Sequence, residues 1–340
     1  MNLGEIGLVS EVTSKQVSLK LAPRIVTRSN HKQMFDALGT LFKPDTPLHF
    51  LKGKEKGIDI HMLIKAAEQV FGITPRLISP SDLRLEPDGE NTGKYRLCCL
   101  ASSDIKMSPE PLTFTNDKGE IVEEIKQVGL ELHQHELFSL PREMLRQLSL
   151  RCFNDLRSVL LVHDKRMLGI VKQELPQLVQ THVLTPAQGR ALHKGIADTF
   201  IPGSPELRSL LQRSTSSPDT KDKYLLKPIR SGKGAGILFG EEIGSHEWEC
   251  ILKSLRYQDR DSISKGKAYV IQRRVKHRLY DLVLHASGEK VRYPLVGTWH
   301  VVHGKFSGLG TWRSSGDRIC AVSSGGAILC SVSQQYAPGC

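Results

Sequence analysis

Apolar residues fall into short runs along the chain, and the spacing within each run predicts an element. Pro47-Leu48-His49-Phe50-Leu51 reads as a buried strand ahead of a glycine turn at Gly53 and Gly57. Ile60 to Phe71 repeats apolar residues at helical spacing, with Asp59 placed to cap its start and Gly72 to stop it. The stretch PRLISPSDLRL then reads as strand, turn and a further short element. Strand, helix, strand in this order predicts parallel pairing in an α/β lobe. Tyr95 to Leu100 is a strand, residues 107–120 a loop, and the pattern from Glu123 to Leu150 turns helical, with Pro141 suited to a first helical turn. Val159 to Val162 is a short strand or a helix end. Asp164 is placed to cap a helix that starts at Lys165, and Thr185-Pro186 opens another. Residues 1–20 alternate weakly, and GLVSEV is a candidate strand.

Residues 203–222 are polar and serine-rich, and read as a flexible connection. Beyond them the texture changes. Tyr224-Leu225-Leu226, Tyr269 to Gln272, Leu279 to His285, Tyr293 to Val302 and Ile319 to Val322 are short β-type runs separated by glycine turns, as in an antiparallel sheet. The expected fold class is therefore α/β (α+β). Three regions are expected: 1–150 as an N-terminal α/β domain, 151–220 as a helical and linker subdomain, and 221–340 as a C-terminal antiparallel-sheet subdomain.

Composition narrows the function classes. The 340 residues are enough for one large domain or several smaller lobes. No apolar run reaches the roughly 20 residues of a membrane span. The N-terminal MNLGEIGLVSEV carries acidic residues and lacks the layout of a signal peptide, so the expected location is cytoplasmic. Seven scattered cysteines without a CxxC pair read as reduced thiols, neither a disulfide framework nor a zinc site. A net charge of +11 permits nucleic-acid binding, but the basic residues are spread along the chain without a run of five or six, which favours a basic enzyme surface.

The strongest local signal is Lys227-Pro228-Ile229-Arg230-Ser231-Gly232-Lys233-Gly234-Ala235-Gly236-Ile237. An apolar strand ends in a lysine, and three glycines follow at alternate positions. Glycines let backbone N–H groups approach phosphate oxygens, and Lys227 and Lys233 add charge there. The Walker pattern is excluded because Gly234 follows Lys233, and the dinucleotide pattern because Ile237 or Phe239 stands where its third glycine belongs. A glycine-rich hairpin turn remains the plain alternative.

The loop has company in sequence order. Before it lies Val162-His163-Asp164-Lys165-Arg166-Met167-Leu168. After it come Tyr269-Val270-Ile271-Gln272-Arg273-Arg274-Val275, Gly310-Thr311-Trp312-Arg313-Ser314-Ser315 and Ser323-Ser324-Gly325-Gly326. In this order the motifs resemble the ATP-grasp superfamily, most closely the branch akin to glutathionylspermidine synthase and its circularly permuted relatives, and fungal ATP-grasp proteins of small-molecule metabolism. The likeness covers residues 155 to 335, and the first 150 fit only in general texture.

The resemblance implies an ATP- and Mg²⁺-using ligase that joins a small-molecule carboxylate to an amine or thiol through an acyl phosphate. It implies that Lys165 and Lys227 contact nucleotide phosphates or adenine, that Ser231, Gly232, Lys233, Gly234 and Gly236 form a lid over the phosphates, and that Gln272, Arg273, Arg274 and Val275 run beside the adenine. Arg313 would stabilise the transferring group, a task suited to planar arginine. Where the family holds Mg²⁺ with an Asn, this chain has Ala321. Asp281 and Asp317 are the candidate metal carboxylates. A non-catalytic nucleotide-binding protein of the same fold is the alternative.

Other clusters read more plainly. His133, His135 and Glu136 are polar residues on a solvated element, Cys98 and Cys99 small buried hydrophobes, and Trp299 and Trp312 sheet packing, with lining of a substrate pocket beside Arg313 as the alternative for Trp312. Ser314 and Ser315 lack the frame of a nucleophile elbow.

Overall fold

Leu48, His49, Phe50 and Leu51 are all buried, so their strand is covered on both faces. This unbroken burial is the mark of a central parallel strand. Leu48–Lys52 pairs in parallel with Arg76–Ile78 on one side and with Gln127–Glu131 on the other. The helix Asp59–Phe71 makes the crossover, and Gly72 ends it at φ +65°, the left-handed conformation glycine adopts without a Cβ penalty. The computed structural model describes residues 25–27, 31–54, 59–89, 94–102, 106–256, 268–284, 287–322, 325–329 and 331–334. The candidate strand GLVSEV lies outside them. No helix among the described residues is long and apolar enough to cross a membrane.

The chain divides into two units. The first takes Met1–Leu156, Val296–Ser314 and Ala327–Cys340, and the second Arg157–Leu295 and Ser315–Gly326. In the first unit the parallel sheet is joined by a four-stranded antiparallel sheet in the order Leu83–Pro87, Tyr95–Leu100, Ile121–Glu124, Thr113–Thr115. Leu51, Leu97, Cys99, Ile125, Val128 and Leu148 form the main core between these sheets and the helix Arg142–Arg151. A late hairpin, Val296–Val302 with Lys305–Ser314, returns to this unit and brings Val302 against Phe35, Leu38 and Ala66.

Residues 121–131 correct the helical reading of the region from Glu123. They form the strands Ile121–Glu124 and Gln127–Glu131, and helices begin only at Gln134. The apolar positions 122, 125 and 128 suit a helical stripe by their spacing. Pairing of 127–131 with the central strand and complete burial of Val122, Ile125 and Val128 decide for β. The expected loop 107–120 also contributes the edge strand Thr113–Thr115.

The second unit is built on an antiparallel sheet in the order Leu238–Phe239, Tyr224–Pro228, Tyr269–Arg273, Thr199–Phe200. Residues 203–222 are not a flexible connection. Pro205–Ser216 is a helix capped by Ser204, whose Oγ accepts the Leu207 N–H at 3.2 Å, and Pro218–Lys223 is a 3-10 turn. Leu207 and Leu210 are sealed against Leu226, Trp248, Leu252 and Ile271. Burial of each such leucine stabilises by about 1.5–3 kcal/mol, enough to override a serine-rich composition. Ser214 lies on the buried face because its Oγ accepts from the Trp248 indole at 3.1 Å. Ile319 to Val322 is an irregular segment, not a strand. Ala321 is buried within it, and its backbone closes turns with Ile319 and Gly326.

Candidate functional site

Asp164 anchors one side of the site in the second unit. Its Oδ1 accepts the Arg166 N–H at 3.0 Å, which caps the helix Arg166–Gln180 as its position in sequence suggests. The buried carboxylate also holds the Arg166 guanidinium at 2.6 Å. Burial pushes its pKa up, but the side-chain and backbone bonds from Arg166 outweigh this and hold it below the usual aspartate value. The adjacent Lys165 N–H donates to Ile229 O at 2.8 Å, which ties this helix start to the end of the strand Tyr224–Pro228.

From this anchor the Lys165 ammonium donates to Pro228 O at 2.9 Å and to Ser231 O at 2.7 Å, stapling the base of the glycine loop. Lys227 donates to Gln272 Oε1 at 2.6 Å, and Gln272 Nε2 donates to Thr199 Oγ1 at 2.9 Å, a polar line across three strands of the sheet. Burial lowers the pKa of both lysines, and for Lys165 the charge of Lys227 lowers it further against the opposing pull of Asp164. Two half-buried ammonium groups are thus held within reach of each other's field, and their bonding partners are neutral oxygens.

The loop has a left-handed backbone at Ser231 (φ 137°), Lys233 (58°), Gly234 (83°) and Gly236 (73°). Ser231, Gly232, Lys233 and Gly236 are exposed. A Cβ on Gly234 would lie 2.4 Å from Ile319 Cγ2, so the irregular segment around Ala321 seats the loop from behind. Mixed-hand turns of this type turn successive N–H groups toward one concavity, the form of an anion nest.

The remaining expected residues are placed as follows. Gln272 is buried, and Val275 is exposed. The Arg273 N–H donates to Asp198 O and the Arg274 N–H to Lys223 O, both at 2.8 Å. The Arg274 guanidinium binds Glu241 at 2.6 Å and lies over the Phe239 ring, so its charge is already engaged. Asp281 stands on the exposed strand Leu279–Leu282, 3.6 Å from Arg292. Asp317 lies in a turn whose N–H binds Ser315 Oγ at 3.0 Å. Arg313 belongs to the first unit, on the strand Lys305–Ser314. The structure therefore gathers Lys165, Lys227, Gln272 and the 231–236 loop in one unit and puts Arg313 in the other.

Among the described residues, one group of three or more potential metal ligands has its ligand atoms within 4.8 Å of one another: His49, Cys99 and Glu123. Sequence reading missed it, because its members come from three separate strands. Glu123 Oε1 is already shared by His49 Nε2 at 3.0 Å, by Cys99 Sγ at 3.3 Å and by the Arg76 guanidinium. An arginine in that shell supplies the positive charge a metal would, and burial pushes the Cys99 thiol far above its usual pKa, so the cluster reads as a buried charge network. His133 and His135 stack at 5.4 Å, while Glu136 accepts the N–H groups of His133 and Lys54, both at 2.9 Å. Cys98 and Cys99 are fully buried, as expected. Trp299 departs from the expected packing: it is exposed beside Phe306 at the hairpin.

Comparison with known proteins places these features. Residues 7–161 match the family described as the AnkG N-terminal domain. Over 294 residues the chain is 36% identical to the ATP-grasp enzyme ankG of Aspergillus thermomutatus, an alignment covering 86% of this chain and 61% of that protein. The chain thus spans about three fifths of that relative's length. The structure of a glutathione synthetase like-effector (GSS30) from Globodera pallida, in apo form, matches with a TM-score of 0.51 at 12% identity, over 97% of this chain and 67% of the other. At that identity the likeness speaks for the fold alone. The resemblance read from the order of four motifs holds: in sequence this chain is similar to a fungal ATP-grasp enzyme, and its mixed α/β fold is that of a glutathione synthetase-like protein.

Proposed function

We propose that this chain is an ATP-dependent ligase that activates a small-molecule carboxylate as its acyl phosphate and passes the acyl group to an amine or thiol. The observation that carries the reading is the pair Lys165 and Lys227, two half-buried ammonium groups bonded to neutral oxygens beside a loop of left-handed residues. Such a pair is electrostatically incomplete, and a chain of phosphates completes it. The nucleotide fits these residues and would supply the phosphoryl group.

The residues then take definite tasks. Lys165 and Lys227 neutralise phosphate oxygens, and because their hydrogen-bond partners are neutral the gain falls on the bound state. Ser231, Gly232, Lys233, Gly234 and Gly236 close over the phosphates with backbone N–H groups. Gln272 orients Lys227, and the backbone from Arg273 to Val275 reads the adenine edge. Arg313 lies in the first unit and is given no task at this site. Asp281 and Asp317 are single carboxylates outside any group of three ligands among the described residues, so they make no magnesium cage by themselves. A magnesium ion bound with the nucleotide would draw its remaining ligands from phosphate oxygens and water and would neutralise phosphate charge. The five described cysteines are free thiols, which supports a cytoplasmic setting.

The test is release of ADP and phosphate with a panel of carboxylates and amines, in the wild type and in Lys227→Met. Turnover that depends on both substrates and is lost in the variant supports the ligase. Turnover unchanged in the variant refutes the assignment of the site. A second reading, a nucleotide-binding protein without turnover, is favoured by Ala321 and by the lone carboxylates. It predicts ATP binding that Lys227→Met abolishes, with no ADP from any substrate pair.

A further inference from the structure

A cavity of about 660 Å³ opens on the first unit, between the strand Tyr95–Leu100, the turn after Glu124 and the helix Arg142–Arg151. Its lining carries five cations, Lys94, Arg96, Lys126, Arg146 and Arg151. Only two carboxylates, Asp88 and Glu124, accompany them. All of these residues fall within the stretch that matches the AnkG N-terminal domain. A cleft with this imbalance focuses a positive potential.

Some of the charge is compensated locally. Lys126 binds Glu124 at 2.5 Å, and Arg146 binds Glu143 at 2.7 Å. The guanidiniums of Arg96 and Arg151 lack that compensation. Arg96 lies 4.6 Å over the Phe114 ring, and its Nε is buried without a hydrogen-bond partner. Arg151 donates to the side-chain oxygen of Gln147 and to Gln147 O, both neutral. Burial lowers the Arg151 pKa, and Glu124, whose charge opposes this, is already bonded to Lys126. Two partly desolvated guanidiniums facing one cavity with neutral or absent partners are costly unless an anion joins them.

We propose that this cavity binds a small molecule bearing two or more carboxylate or phosphate groups. Arg96 and Arg151 would take one anionic group in the paired N–H geometry that planar guanidinium offers, and Lys94 the other. The volume lies in the range of small-molecule sites. Leu112 and Leu150, more than half exposed on its rim, provide the apolar surface that the body of such a ligand covers. The site does not depend on the nucleotide reading of Lys165 and Lys227, which lie in the other unit.

The test is calorimetric titration of the full chain at low salt with citrate, succinate, pyrophosphate, ATP and acetate, in the wild type, Arg151→Gln, Lys94→Gln and Lys227→Met. The expected result is binding of at least one di- or trianion more tightly than acetate. Arg151→Gln should weaken it roughly tenfold or more, as loss of a hydrogen bond between charged groups does, and this Arg151-dependent binding should persist in Lys227→Met, which removes only phosphate binding at the other site. Preference for citrate and succinate assigns a polycarboxylate, and preference for pyrophosphate assigns a phosphate compound. Lys94 is exposed, so Lys94→Gln keeps the test open should Arg151→Gln fold poorly. Absence of binding by any polyanion, binding indifferent to both variants, or binding that follows Lys227→Met instead, each overturns the proposal.

Discussion

The Lys227 ammonium and the Gln272 side-chain oxygen meet at 2.6 Å across adjacent strands, and the oxygen is neutral. The cation is partly buried yet gains no carboxylate, so its protonated form is disfavoured. Gln272 is fixed in turn by Thr199, which leaves it no freedom to turn away. This pair fixes a positive charge at the foot of the glycine loop.

Lys227→Met is expected to weaken ATP binding by roughly tenfold or more, since a hydrogen bond between charged groups is lost. Fold stability should change little, because a desolvated charge leaves together with its one neutral bond. Fluorescent-nucleotide titration reads the first effect and a thermal melt the second. Unchanged ATP affinity would sink the assignment of Lys227.

The lowered pKa values of Lys165 and Lys227 give a pH signature. Their charge is lost as pH rises through folded pKa values that lie below the ordinary lysine value of about 10.4. ATP affinity should therefore decline on the alkaline side before that value is reached. In the ligand-free protein the unfolded chain holds these protons longer, so wild-type stability should rise with pH across this window relative to the Lys165→Met/Lys227→Met double variant. Parallel denaturant titrations at several pH values measure it, and parallel slopes for the two proteins would contradict it.

Gly234→Ala should deform the glycine loop. The residue sits at φ 83°, and the new Cβ would lie 2.4 Å from a methyl of β-branched Ile319. The left-handed backbone alone costs about 1–2 kcal/mol. The expected outcome is a raised KM for ATP with a small loss of stability. Gly232→Ala, where a Cβ meets nothing, is the control.

Removal of one partner from the buried network around Glu123 should be severe. Burial pushes the Glu123 carboxyl up, but the His49 hydrogen bond and the Arg76 charge outweigh this and hold it below the usual glutamate value. Glu123→Leu leaves Arg76 buried without its counter-charge and should cost about 3–5 kcal/mol. Because the folded pKa is depressed, the stability from this group is present above the unfolded glutamate value of about 4.3 and is lost as pH falls through the folded one. Urea unfolding of the wild type and the variant between neutral and acid pH checks both points.

The sequence alone determined what is local. The helix Asp59–Phe71 with its glycine stop, the strand Tyr95–Leu100, the Asp164 cap and the loop from Lys227 to Gly236 each follow from neighbouring residues whose backbone preferences agree. Even the helix Pro205–Ser216 carried a legible sign, since Ser204-Pro205 is a cap followed by a first-turn proline, but the serines beyond it obscured the leucine stripe. Only the tertiary structure decided whether 121–131 is strand or helix, because the three-residue spacing of positions 122, 125 and 128 reads as a helical stripe until 127–131 pairs with the central parallel strand. The same holds for the meeting of His49, Arg76, Cys99 and Glu123, and for five cations around one cavity. Those residues come from separate stretches of the chain, and their proximity is created by the packing of strands and helix. Charge clustering of this kind leaves no periodic trace in a sequence, because the fold, not the local backbone, sets the distances.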